Sequence, residues 1–235
     1  VKPRFDQATV ERALGLAVLI VLALGPAIFN DYWVNTILTQ MFIFGIAAAS
    51  LIFLSAYGAM TSLAQTALMG ICAYLIGNMV TRGGAGGETK GLTLGWDPTL
   101  ALFLAIGITT LIGLIFGAVA ARSVGIYFLM LTLTYSVIAN YFFGQVTQFG
   151  GFSPIAGINQ YTPGFVGDIV GHPDKLYYIG FGVSVAVYLA IKYLIRTPFG
   201  LSLQGVRDDP VRMSSLGYFV PLHRTLAFTF AAFVA

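Results

Sequence analysis

The sequence predicts an all-α, polytopic membrane protein, and three observations carry that expectation. Only 9% of the 235 residues are charged, against about 25% in soluble domains. Hydrophobic residues make up 57%, and the mean hydropathy is +0.85. The apolar residues fall in long unbroken runs, not in the alternating segments of about ten residues that mark a membrane barrel. So few charges cannot cover a soluble surface, and disorder needs low hydrophobicity. A soluble enzyme and a disordered chain are therefore excluded. The single cysteine, Cys72, cannot form an internal disulfide. No run of Lys and Arg offers nucleic acid a footprint.

The charge-free runs mark the spans. Residues 13–30 form the first; their apolar core is longer than a signal peptide's 7–15 residues, so they read as a retained span. Residues 32–81 are too long for one crossing of about 20 residues. They need an internal turn, and Ser55-Ala56-Tyr57-Gly58 with Thr61-Ser62 supplies it. Further spans follow over 98–121, over 123 to about 148, and over 176–195. The final run, 225–235, reaches only about 16 Å as a helix. That is half a bilayer core, so a longer natural chain is expected. The loops 82–97 and 149–175 are rich in glycine and polar residues. The second reads either as plain surface or as a partner contact, with His172 a solvated loop residue.

Alternation of six spans before residue 196 assigns the loops to sides. Lys2, Arg4, Arg12, Arg122, Lys192, Arg196, Arg207, Arg212 and Arg224 share one side; Arg82, Lys90 and Lys175 share the other. The positive-inside rule makes the first side, with the N-terminus, cytoplasmic.

Several chemistries lack their parts. No phosphate loop of the Gly-x-x-x-x-Gly-Lys-Ser/Thr type is present, so no ATPase site of its own is expected. Metal-ligand spacing is absent from the sequence, and no cofactor is expected. Residues 32–81 and 123–148 carry no carboxylate, Lys, Arg or His, which weighs against a proton-driven carrier. Uncharged polar groups cluster instead: Ser55, Tyr57, Thr61, Ser62, Gln65 and Thr66, with Gly58 and Gly70 around most of them. They read either as the lining of a pathway or as a polar turn between two helices. Thr132, Thr134, Tyr135 and Asn140 on the following span are weaker candidates, since such groups often only bond helix to helix. Gly113-x-x-x-Gly117 predicts close helix packing, within the chain or against a second subunit.

The 196–224 connection is long for a loop. Within it, residues 208–217 predict a short helix. Asp209 is a good N-cap, Pro210 suits the first helical position, and Gly217 suits a left-handed C-terminal cap. About seven residues cannot hold a helix alone. Val211, Met213 and Leu216 beside Arg207 and Arg212 make it either interfacial filler or a docking element.

Four stretches resemble the permease subunits of branched-chain amino acid ABC importers, the LivM-type family. They are Tyr57-Gly58-Ala59-Met60 through Gly70 to Tyr74, Gly125-Ile126-Tyr127-Phe128, Gly150-Gly151 with Gly157-Ile158, and Thr197-Pro198-Phe199-Gly200 through Arg207-Asp208-Asp209-Pro210 to Leu216-Gly217-Tyr218. The last is the most specific. The similarity runs from about residue 32 to the end. A Gly-His pair of the family is replaced here by Ala64-Gln65, which keeps hydrogen bonding without charge, and Ala59 stands where the family has glycine.

The resemblance implies a single transmembrane permease domain over 1–235, incomplete at its C-terminus, with 196–224 as its cytoplasmic coupling loop. It implies a multi-pass protein of the bacterial cytoplasmic (inner) membrane. The implied partners are a second permease subunit, two cytoplasmic ATPase subunits and an extracytoplasmic substrate-binding protein, in a setting of membrane lipid. It makes Tyr57, Gly58, Ser62, Gln65, Thr66 and Gly70 candidates for the translocation pathway. It makes Arg207, Asp208, Asp209, Pro210, Arg212, Met213, Leu216 and Gly217 candidates for ATPase coupling. A secondary carrier or channel, and a structural membrane subunit, are the alternatives.

The charge asymmetry makes a direct prediction. Single cysteines at positions 202 and 153, probed on intact cells with a membrane-impermeant thiol reagent, should be unlabelled at 202 and labelled at 153. The opposite pattern would invert the topology.

Overall fold

The computed structural model describes residues 18–28, 32–81, 94–146 and 173–235, with single positions at 15, 30, 92, 151 and 164. Most of the two glycine-rich loops, including His172, and the charges of residues 1–12 lie outside the described residues. Among the described residues the chain is helical and has no strand. The order is α1 (Gly25–Ile28), a π-helical stretch (Trp33–Leu38), α2 (Thr39–Gly58), α3 (Gln65–Val80), α4 (Pro98–Ala120), α5 (Ile126–Gln145), α6 (Pro173–Arg196), α7 (Pro198–Asp208), α8 (Pro210–Ser215) and α9 (Val220–Val234).

Among the described residues, four helical stretches are long and apolar enough to cross a bilayer: Thr36–Gly58, Pro98–Ala120, Ile126–Gln145 and Lys175–Arg196. The two apolar helices α3 and α9 are shorter, at 16 and 15 residues, or about 24 and 22 Å. The expected turn inside 32–81 is present, between Gly58 and Gln65. Beyond α3 the chain folds back on its end. Trp96 donates its N–H to the Met79 carbonyl, Gly95 to that of Thr81 and Leu94 to that of Asn78 (2.9–3.3 Å). The last carbonyls of α3 thus find partners without water, as a low-dielectric setting demands.

Helix α4 explains the packing. Its buried residues are Ala101, Ala105, Thr109, Gly113, Gly117 and Ala120, a line of small side chains on one face. Helix α9 lies against that line. A Cβ on Gly113 would sit 2.3 Å from the Ala232 Cβ, and one on Gly117 3.1 Å from the Phe228 Cβ. Thr225 completes the contact, its hydroxyl donating to the carbonyls of Pro221 (2.9 Å) and Gly117 (3.4 Å). The Gly-x-x-x-Gly motif is therefore used within the chain. The core around it joins Phe53 and Leu54 of α2, Leu68 of α3, Phe128 of α5, Leu203 of α7 and Phe228 of α9. Edge-on ring contacts tie it together, Phe53 to Phe230 at 5.2 Å and Phe128 to Phe228 at 6.1 Å. A second cluster ties α2 to α6 through Val34, Phe42 and Tyr177. The outer faces are apolar as well: Phe103, Ile115 and Ile126 are exposed, as lipid contact requires.

The 196–224 segment differs from expectation. It holds an 11-residue helix, α7, before the predicted short one, and α9 already begins at Val220. The signal for α7 is local: Thr197 caps it and Pro198 takes the first helical position.

Because a side chain at Gly113 has no room, Gly113→Leu should cost about 1–3 kcal/mol through overpacking. Gly107, whose Cβ would meet nothing within 4 Å, gives the control Gly107→Leu. Thermal unfolding in detergent should show the first well below the second; equal midpoints would refute tight α4–α9 packing.

Candidate functional site

The helix break sets the geometry. Helix α2 ends with Ala59 in the left-handed conformation (φ 52°), which costs an alanine about 1–2 kcal/mol. Gly58 is not the residue that turns. It is buried against Met60, whose Cε would meet a Cβ at 3.0 Å. Met60 donates its N–H to the Leu54 carbonyl (3.1 Å). Leu63 donates to the Thr132 hydroxyl on α5 (3.2 Å), and Ala64 to the Ser62 hydroxyl (3.2 Å). Backbone donors freed by the break are thus taken up by buried hydroxyls. The break is level with the Arg196 end of α6, since Tyr57 and Ile195 line one groove and Arg207 reaches the Ala56 carbonyl.

The six candidate pathway residues divide among three places. Tyr57 lies on the α6 side of α2's end, and Gly58 beside it is buried against Met60. Ser62 and Gln65 are buried in the core. Thr66 and Gly70 open onto a cleft of about 300 Å³ between α3 and α5, whose other lining includes Tyr74, Ser136, Asn140 and Gly144. A Cβ on Gly70 would meet nothing within 4 Å, so that glycine leaves the cleft wide. Tyr74 stacks on Phe143 (5.0 Å, 19°) at the cleft wall. Ser136 had no place among the sequence candidates. Its signal was spacing: Thr132, Ser136, Asn140 and Gly144 recur every four residues, which aligns them along one helix face.

Gln65 has the most unusual environment. It is 2% exposed. Its Oε1 accepts from the Ser50 hydroxyl at 3.3 Å, while its Nε2 has no hydrogen-bond partner among the described residues. An unpaired buried amide donor costs about 1–3 kcal/mol, a cost that stability alone does not select.

The second candidate element is the helix pair α7–α8. Thr197 accepts from the Gly200 N–H (3.3 Å) and donates to the Leu194 carbonyl (2.6 Å). A Cβ on Gly200 would lie 2.3 Å from the Leu194 carbonyl oxygen and 2.6 Å from the Ile195 Cα. Only glycine fits there, which gives Thr197-Pro198-Phe199-Gly200 its physical meaning as a sharp corner out of α6. Helix α7 then buries Leu203 and Val206. At its far end Arg207 pairs with Asp208 (2.8 Å) and donates to the Ala56 carbonyl at the end of α2 (2.7 Å).

Helix α8 has the predicted caps. The Asp209 carboxylate accepts from the Arg212 N–H (2.9 Å), and Pro210 is first in the helix. At the other end Gly217 is left-handed (φ 91°). Gly217 donates to the Ser214 carbonyl and Tyr218 to that of Met213 (3.0 and 3.1 Å), a paired C-terminal cap. Met213 turns inward, and its sulfur lies 2.8 Å from where a Gly205 Cβ would be. Val211 and Leu216 point out, 73% and 68% exposed, and Phe219 beside them is 66% exposed. Behind the pair, His223 of α9 stacks on Phe199 of α7 (5.9 Å, 9°).

The fold defines a multi-pass helical membrane protein. The sequence profile of the family described as branched-chain amino acid transport system / permease component matches residues 34–235, and the chain belongs to that family. Comparisons with curated proteins and with solved structures return no match.

The environment of Gln65 separates function from stability. Gln65→Leu should leave the unfolding midpoint unchanged or raise it, because the unpaired donor is removed, while solute uptake falls. Normal uptake at wild-type abundance would make the amide a bystander.

Proposed function

We propose that this chain is the membrane-spanning permease subunit of an ATP-driven importer that carries a small polar solute, such as a branched-chain amino acid, into the cytoplasm. In this reading a second permease subunit completes the pathway. Two cytoplasmic ATPase subunits dock below, and an extracytoplasmic binding protein delivers solute from above. The membrane is the bacterial inner membrane, with the N-terminus on the cytoplasmic side, where the sequence places most Lys and Arg.

The observation that carries the reading is the construction of α8. A helix of six residues is capped at both ends, braced from behind by Met213 on Gly205, and left with Val211 and Leu216 uncovered. Rigid ends and an exposed apolar face suit a body that fits a groove on a soluble ATPase and transmits its movement. Arg212, also exposed, would steer and orient that contact. Met213 supports the helix from within, so the anchors facing the partner are Val211 and Leu216. On the pathway side, Thr66, Ser136 and Asn140 offer neutral hydrogen-bonding groups to the solute, Gly70 leaves room for it, and Gln65 precedes Thr66 in the chain. Among the described residues no ionised side chain lines that cleft, which suits a permissive conduit whose selectivity rests with the binding protein.

Leu216→Asp tests the coupling role. Losing one enclosed anchor of about 1.5–3 kcal/mol should weaken ATPase-subunit binding about 10- to 100-fold and abolish stimulation of hydrolysis by loaded binding protein. Near-normal stimulated hydrolysis would make α8 a helix resting on lipid headgroups, and the importer reading would lose its main support.

A further inference from the structure

An open groove of about 650 Å³ runs along the seam between α2 and α6, and it shares no lining residue with the polar cleft between α3 and α5. Gly45, Ala49 and Ile52 line it from α2, and Val187, Ile191 and Lys192 from α6. Its floor is hollow because Gly45 and Ala49 are small; a Cβ on Gly45 would meet nothing within 4 Å. Both helices are long and apolar enough to span a membrane, which would open the groove onto hydrocarbon. It runs about 16 Å along α6, from Ser184 to Ile195, and about 24 Å along α2, from Met41 to Tyr57, length enough for one acyl chain reaching inward from one face of the roughly 30 Å hydrocarbon core.

The groove is apolar along this length and charged at one end only. Lys192 lies one turn from the Arg196 terminus of α6, and its Nζ sits 5.6 Å from the Tyr188 ring centroid. Tyr188 also lines the groove, so the ring holds the ammonium at the groove's margin. Arg196, one turn further on, is exposed. The ion pairs among the described residues join Arg207 to Asp208 and Arg212 to Asp209, and neither involves Lys192 or Arg196. The apolar groove thus has one cation in its lining, Lys192, and a second, Arg196, one helical turn beyond it, neither with a carboxylate partner among the described residues.

We propose that this groove binds one acyl chain of an anionic phospholipid from the leaflet at the Arg196 end, with Lys192 and Arg196 holding its phosphate. The charge complementarity decides between a lipid and a protein occupant. A helix of a neighbouring subunit would fill the apolar part but would have to bring a carboxylate to membrane depth to meet Lys192. An anionic lipid brings its negative charge to that level as part of its own structure, and the basic residues at the membrane face favour it. The site requires only that α2 and α6 span the membrane; it does not depend on the importer reading.

The test is native mass spectrometry of the detergent-purified full chain titrated with dioleoylphosphatidylglycerol or dioleoylphosphatidylcholine. One phosphatidylglycerol should be retained in preference to phosphatidylcholine. Lys192→Gln and Lys192→Glu should lower its retention, the reversal by at least roughly fivefold, and phosphatidylcholine, whose choline offsets its phosphate charge, should lose less. Ala49→Trp, which fills the hollow, should lower retention of both. Equal retention of the two lipids by the unaltered chain, or an undiminished preference in the Lys192 variants, would overturn the proposal. So would efficient disulfide crosslinking of single cysteines at 49 and 187 to a neighbouring protein in native membranes, which would assign the groove to a subunit contact.

Discussion

Backbone hydrogen bonding at the break between Gly58 and Gln65 is the constraint on which the rest of the structure depends. Outside a helix, each free N–H near the membrane must find a partner or cost several kcal/mol. The chain meets this with buried hydroxyls, Thr132 for Leu63 and Ser62 for Ala64. That requirement fixes α5 beside α3. The cleft containing Thr66, Gly70, Ser136 and Asn140 follows from the same contact. The arrangement needed to satisfy the backbone therefore also builds the polar lining of that cleft.

Close approach does the complementary work on the other side of the core. Gly113 and Gly117 let α9 lie almost against the α4 backbone, and the Thr225 hydroxyl adds a bond there. Lipid competes with side chains for apolar contact, so helix association in a membrane relies on such fit and on interhelical hydrogen bonds. The aromatic contacts of Phe53, Phe128 and Phe228 then fill the space between α2, α5 and α9. The family match covers every one of these packed helices, from residue 34 to 235.

The membrane class, the turn inside 32–81 and the caps of α8 were legible in the sequence, because each follows from composition or from local cap chemistry. Asp209, Pro210 and Gly217 act locally, and the structure has them in their expected positions. Helix α7 was missed although Thr197-Pro198 announces it, because its apolar content is low and a polar stretch between spans reads as loop. The dispersal of Tyr57, Gln65 and Thr66 to three surroundings was not legible either. Residues adjacent in sequence point to different faces of a helix, and which neighbour each face meets is a property of long-range packing. The inward turn of Met213 is of the same kind: a heptad-sized window cannot tell which apolar side chain braces a short helix and which ones it displays.

Helix α7 is held at two places that belong to two different spans. Its first turn is locked to α6 by the Gly200 corner, where no side chain fits. Its last turn is bonded to α2 by Arg207 on the Ala56 carbonyl. A push on α8 therefore cannot swing α7 as a free arm. It would bear on the ends of α2 and α6 together. These two helices also flank the groove, so an occupant wedged in that seam would resist their relative movement.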